Sequence, residues 1–283
     1  MAEFATDQAD GLRKLFGRDS IRIATLTSPD SGVGKSISVA NLAVALASAG
    51  KNVLVLDENA GEGNVCSLFG LREKPDLLDA GGVGLDQLLV EGPCGISILK
   101  AVRRPAGEEM RGMLIDRIGH ASHDVLLVDA APGSPGNLLP SSSQEMIVVL
   151  STEVSSITSA YALIKKMHLS QGTRRFRVLV SRAKNGAEAR AIFDNMAQVA
   201  MRYLAITLNY MGHVPEDDAL RHAVRLKKPV LEAFPMSASG SCFRSMADAM
   251  LAWPRLHRED MSLGDFLQHL IRSSRLSEAD IGS

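Results

Sequence analysis

The residues best suited to chemistry are the run SGVGKS, Ser31 to Ser36, and two acids downstream of it, Asp57 and Asp129. A glycine-rich turn between a strand and a helix gathers backbone N–H groups and the positive end of a helix dipole at one point, which suits a triphosphate. In such a turn the amides of Ser31, Gly32, Val33 and Gly34 onward form the cradle, Lys35 reaches the β- and γ-phosphates, and the Ser36 hydroxyl ligates Mg²⁺. Asp57 ends the apolar run VLVLD and Asp129 the run VLLVD, places from which an acid can hold the Mg²⁺ water shell. The expected metal set is therefore Ser36, Asp57 and Asp129. Singly, each feature has a plainer reading: a glycine-rich turn with an incidental lysine, or an acid that finishes a strand. Both acids together, downstream of Lys35, favour a nucleotide site. The full pattern Gly-x-x-x-x-Gly-Lys-Ser/Thr is not met, because Pro29 occupies its first glycine position and Asp30 follows.

The elements that must position these groups show as short apolar runs alternating with longer helical patterns. Ile21 to Ser28, Asn52 to Asp57, Ile96 to Ala101, Asp124 to Ala130, Met146 to Ser151 and Arg177 to Arg182 are nearly continuous in apolar residues, as strands covered on both faces are. Four intervening stretches carry helix-period apolar faces: KSISVANLAVALASAG with Gly50 as C-cap, GEEMRGMLIDRIGHAS, SSITSAYALIKKMHLS and AEARAIFDNMAQVAMRYL. The repetition predicts an α/β fold, a doubly wound, mostly parallel sheet with helices on both faces, plus short N-terminal and C-terminal helical segments. The core spans residues 21–253, preceded by a segment 1–20 and followed by a tail 254–283. Pro132 to Ser143 reads as a loop.

Composition narrows the partners. The formal net charge of −1 over 283 residues supplies no protein-wide field for nucleic acid. Cys66, Cys94 and Cys242 are odd in number and lack metal-ligand spacing, so they read as small buried hydrophobes in a reducing cytoplasm. The N-terminus mixes acids with bases and has no signal-like apolar core. No apolar run approaches the ~20 residues needed to cross a bilayer, which leaves peripheral contact as the only membrane option.

The stretch Ser31 to Val65 resembles the phosphate loop, first helix and switch I of the MinD/ParA group of deviant P-loop ATPases. DVLLVDAAPG resembles that group's Walker B and switch II stretch, and GHVPEDDALRHAVRLKKPVLEAFP its late base-side region. Within the group, DQADGLRKLF, Asp7 to Phe16, is similar to the activation motif of the FlhG/FleN flagellar-number regulators. The resemblance covers about Ile21 to Trp253 and implies ATP or ADP as ligand with Mg²⁺, a nucleotide-dependent homodimer, and Arg182, Pro215, Glu216 and Asp217 around base and ribose. A turn with a helix N-cap is the plainer reading of the last three.

Two departures from that pattern concern hydrolysis. The position of the family's signature lysine, which crosses the dimer to the partner's phosphates, is Asp30. Two unit charges ~4 Å apart interact by about 4 kcal/mol at an effective dielectric near 20, so Asp30 is expected to turn away from any phosphate. Switch I reads Asp57-Glu58-Asn59 where the family typically has Asp-x-Asp, and Asn59 orients water without taking its proton. The catalytic set is Lys35, Asp57, Asn59 and Asp129, with binding retained and hydrolysis weak or rewired.

Thr6 to Phe16 has Ala9, Leu12, Leu15 and Phe16 on one helical face. A helix this short is marginal alone. By resemblance it docks on an FlhF-type flagellar GTPase through Asp7, Gln8, Ala9, Leu12, Arg13 and Phe16; packing back on its own domain is the alternative. In residues 262–276, Leu263, Phe266, Leu267, Leu270 and Ile271 form a stripe with Arg272 and Arg275 nearby, suited either to an interfacial membrane contact or to packing on the domain; the resemblance implies that such a contact is with the inner membrane, with the protein in the cytoplasm or at a cell pole. Two other classes are open: a tyrosine-kinase-like phosphotransferase, to which Pro29 lends support but which lacks a C-terminal tyrosine cluster, since the only tyrosines are Tyr161, Tyr203 and Tyr210, and a ParA-type partitioning ATPase, which the net charge disfavours.

Overall fold

The computed structural model describes residues 22–59, 61, 63–77, 83–100, 123–131 and 145–253. In chain order the elements are β1 (Arg22–Thr27), α1 (Lys35–Ser48), β2 (Val53–Asp57), α2 (Val65–Leu68), α3 (Leu85–Leu88), β3 (Val90–Glu91) and β4 (Ser97–Lys100). They continue with β5 (Val125–Asp129), β6 (Glu145–Ser151), α4 (Val154–Gln171), β7 (Arg175–Ala183), α5 (Gly186–Leu204), β8 (Thr207–Pro215), α6 (Asp218–Arg225), α7 (Val230–Ala233) and α8 (Ala238–Ala252).

The strands form one sheet in the order β3-β4-β2-β5-β1-β6-β7-β8. Every pairing is parallel except β3 with β4. All six expected strands are present. Two more were not expected: the two-residue edge strand β3, and β8, whose sequence TLNYMGHVP mixes exposed, half-buried and buried residues. An edge strand of mixed polarity lacks the continuous apolar run by which its neighbours are recognised.

In β6, Ile147 and Val149 face a core shared with α1 and α8, while Met146, Val148 and Leu150 face a second core shared with α4 and α5. Adjacent residues of one strand thus serve opposite faces, as a period of two requires. The helix expected over 107–122, the loop 132–143 and both terminal segments lie outside the described residues.

α1 closes as expected around Gly50, whose N–H donates to Ala47 O at 2.9 Å while Lys51 N–H donates to Leu46 O at 3.2 Å, a Schellman pair. The cysteine expectation is corrected: Cys66 is buried, but Cys94 is exposed and Cys242 half-buried. Cys94 sits in a 3₁₀ turn with a left-handed backbone (φ 56°), which turns it toward solvent.

At the end of the sheet opposite the phosphate loop, an Arg22 guanidinium N–H donates to Trp253 O at 3.0 Å, and the Arg177 guanidinium stacks 3.4 Å from the Trp253 ring centroid. Arg177 is also ion-paired with Glu145 at 2.7 Å. The places where the chain passes into residues 1–21 and 254–283 are therefore side by side.

Candidate functional site

The loop after β1 enters α1 through Gly34, the helix N-cap, at φ 90°, and Gly32 is also left-handed at φ 76°. A side chain at Gly34 would find ordinary space, with Ser181 Cβ at 3.8 Å. Glycine is therefore required there by the backbone, since the left-handed region costs other residues roughly 1–2 kcal/mol. The loop's carbonyls are secured from β7: Ser181 Oγ bonds Val33 O at 2.5 Å and lies 3.1 Å from Leu150 O, and an Arg182 guanidinium N–H donates to Gly32 O. Arg182 itself has φ 55°, an unusual conformation for a residue with a Cβ, at an irregularity in the β7–β8 register.

With its carbonyls so occupied, the loop leaves its amides unspent. No backbone N–H from Ser31 to Ile37 finds an acceptor among the described residues, no side chain caps α1, and no acid lies in its first turn. Such a cluster of N–H groups at a helix start fits an anion. Asp30, at the start of the loop, is exposed.

The acids come together through the sheet. β5 lies between β2 and β1, with Asp57 and Asp129 as register partners. Both are buried, Asp129 completely. Asp57 Oδ2 accepts from Val65 N at 2.6 Å, and Asp129 Oδ1 is ion-paired with the buried Lys35 Nζ. Asn59 Nδ2 lies 2.6 Å from Asp129 Oδ2, 3.3 Å from Asp57 Oδ1 and 3.2 Å from Ser36 Oγ. Burial first, and the Asp129 charge second, raise the Asp57 carboxyl to about 6. Lys35, Ser36, Asp57, Asn59 and Asp129 thus converge as expected. Glu58 was not expected to take part: it is buried, and its carboxylate accepts from Ala131 N at 3.1 Å, joining the segment after β2 to the one after β5. The only signal for it was its place between two selected residues.

The donor set suits Mg²⁺, a cation that prefers oxygen ligands and is commonly held by one or two carboxylates together with substrate phosphate. Ser36, Asp57 and Asp129 would hold it, and it would supply charge neutralisation for a bound phosphate.

Beside Gly34 a cleft of about 370 Å³ is lined by Ser181, Arg182, Pro215, Glu216, Asp217 and the apolar Ile37, Val214, Leu220 and Val224. All four residues expected near base and ribose line this cleft. Two of their carboxylates are already engaged. Glu216 pairs with Arg221 at 3.1 Å, and Asp217 caps α6, accepting from Ala219 N at 2.8 Å, Ser239 N at 2.9 Å and Ser239 Oγ at 2.6 Å. Burial pushes the Asp217 carboxyl up, but the Ser239 and Ala219 donors outweigh it and hold the group below its ordinary value.

Comparison with known proteins bears on the family and the fold. The CobQ/CobB/MinD/ParA nucleotide-binding domain family matches residues 24–230. The antiactivator FleN of Pseudomonas aeruginosa is 32% identical over 277 residues, covering 92% of this chain and 97% of FleN. The flagellum site-determining protein YlxH of Helicobacter pylori is 28% identical, covering 77% of this chain and 78% of YlxH. Among solved structures, the MinD cell division protein of Aquifex aeolicus aligns with TM-score 0.66 at 24% identity, covering 82% of this chain and 98% of that one. MinD of Pyrococcus horikoshii, solved with Mg-ADP, aligns with TM-score 0.63 at 22% identity, covering 81% and 95%; at these identities the likeness is one of fold. The chain belongs to the CobQ/CobB/MinD/ParA nucleotide-binding family and, within it, to the FlhG/FleN subgroup of MinD-like P-loop ATPases.

Proposed function

We propose that this chain is a nucleotide-binding regulator of flagellar number and placement, acting through partner contacts. The observation that carries the reading is the convergence of Lys35, Ser36, Asp57 and Asp129 under a loop whose amides find no acceptor among the described residues, in a chain that is 32% identical to FleN. ATP or ADP with Mg²⁺ is the ligand: phosphates on the amides of Ser31 to Ser36, base and ribose in the cleft of Arg182, Pro215 and Glu216. Hydrolysis is weak, because Asn59 offers an amide where a proton acceptor is needed and Asp30 supplies an anion where a dimer partner's phosphates would meet a cation.

The partner is an FlhF-type GTPase bound through Asp7 to Phe16, and the tail 262–276 makes peripheral membrane contact. Among the described residues no helix is long and apolar enough to cross a membrane. The neighbouring positions of Arg22 and Trp253 support a division of labour, with nucleotide at one end of the sheet and both output segments starting from the other.

Calorimetric titration with ATP, ADP and GTP in Mg²⁺, light scattering for dimerisation, and GTPase stimulation by the full chain and by a truncation lacking residues 1–19 test this reading. Adenine nucleotides are expected to bind both proteins equally, with stimulation lost only in the truncation. No nucleotide binding, or vigorous ATP turnover abolished by Lys35→Ala, overturns it.

A further inference from the structure

Asn59 Nδ2 occupies the point at which the proposed metal ligands meet. Each carboxylate has one oxygen committed to a fixed donor: Asp57 Oδ2 to the Val65 N–H at the start of α2, and Asp129 Oδ1 to the Lys35 ammonium. The other two oxygens are Asp57 Oδ1, which also accepts from the Asn59 backbone N–H at 3.0 Å, and Asp129 Oδ2; together with Ser36 Oγ they face the Asn59 side-chain nitrogen at 3.3, 2.6 and 3.2 Å. Only the amide nitrogen of Asn59 suits this position, because its carbonyl oxygen would meet two carboxylate acceptors.

From this geometry we infer that Asn59 is a positioning residue that closes the cation site in the nucleotide-free protein. Its amide stands in for Mg²⁺ and must leave before the cation enters. The inference rests on the nucleotide reading above and goes beyond it in saying what holds the site when no nucleotide is bound.

The physical reason is charge. Two buried carboxylates on neighbouring strands repel each other, and the one lysine between them, Lys35, is ion-paired with Asp129 while acting on Asp57 only as a more distant charge. A neutral amide between these two oxygens adds a hydrogen bond to each without adding charge. The hold is also limited. The amide carries two hydrogens for three acceptors, and its N···O distances of 2.6 to 3.3 Å are long beside the ~2.0–2.1 Å at which Mg²⁺ binds oxygen. A doubly charged cation arriving with a phosphate can displace it. An aspartate at this position would do the opposite: it would bring a third carboxylate to the same point and make the empty site unstable without a cation.

The test compares nucleotide-free full-length wild type, Asn59→Ala and Asn59→Asp, with MgCl₂ alone as the probe in thermal melts and Mg-ATP in calorimetry. Wild type is expected to melt at the same temperature with and without millimolar MgCl₂. Asn59→Asp is expected to melt lower in chelator and to recover by several degrees in MgCl₂. Asn59→Ala is expected to bind Mg-ATP more tightly, by about tenfold if the amide leaves the open site populated one part in ten.

Equal responses of all three proteins to MgCl₂, with Mg-ATP affinities within twofold, overturn the inference and leave the nucleotide reading standing. Failure of wild type to bind ATP overturns both. Should either variant not fold, the wild-type Asn59 side-chain amide provides the readout. Its protons are expected to pass from slow to fast exchange with solvent on addition of Mg-ATP, and unchanged slow exchange in the nucleotide-bound protein refutes the displacement.

Discussion

Replacing Lys35 by methionine removes the cation from a pair that is almost wholly withdrawn from water, with Lys35 4% and Asp129 0% exposed. Among the described residues the carboxylate then keeps a single side-chain donor, Asn59 Nδ2 at 2.6 Å. Removing one partner of a buried ion pair typically costs about 3–5 kcal/mol, because the other charge stays buried and uncompensated. For a domain of this size that is a fall in melting temperature of roughly 6–20 °C.

The companion change, Asp129→Asn, removes the stranded charge, so the double variant is expected to recover most of the loss, with a coupling of at least ~2 kcal/mol. Urea unfolding of the nucleotide-free proteins in chelator, followed by circular dichroism, measures all four corners of this cycle. A Lys35→Met variant within ~1 kcal/mol of wild type, or a double variant no more stable than the single, refutes the claim that this pair is a structural element of the empty site. It follows that a lysine variant used to abolish nucleotide binding needs a folding control.

Three further outcomes are expected. Asp57 is raised from 3.8 to about 6, so across that window the native state holds a proton that the unfolded chain has released. Nucleotide-free stability should therefore fall as pH rises through the window, by up to about 3 kcal/mol at about 1.36 kcal/mol per unit, and Asp57→Asn should flatten that part of the pH profile of urea midpoints. Gly34→Ala keeps ordinary packing at Ser181 but forces a Cβ to φ 90°; a loss of roughly 1–2 kcal/mol in thermal stability, with nucleotide affinity down by about tenfold or more in calorimetry, is expected. Trp253→Ala removes the Arg177 stack at 3.4 Å and should cost about 1–3 kcal/mol in urea unfolding, with nucleotide affinity unchanged because the contact lies at the opposite end of the sheet.

The parts of the molecule that were legible from residue order share one property: their signal is local. The central strands are continuous apolar runs because both faces are covered, and SGVGKS announces its turn through the spacing of two glycines, a lysine and a serine. β8 escaped because its mixed, partly polar pattern resembles that of many surface segments. Cys94 and Cys242 were misread because burial of a cysteine depends on neighbours far along the chain.

By itself, the sequence determined the phosphate loop, the type of sheet and the identity of the acids that face the loop, since each follows from residue types within a few positions of one another. Only the tertiary structure decided what those groups do to each other. The insertion of β5 between β2 and β1 makes Asp57 and Asp129 register partners, delivers Asp129 to Lys35 across 94 positions of chain, and brings Asn59 between the two acids. Apolar patterns report that a strand is buried but carry no information on which strand lies beside it, so the polar closure of this site came from topology.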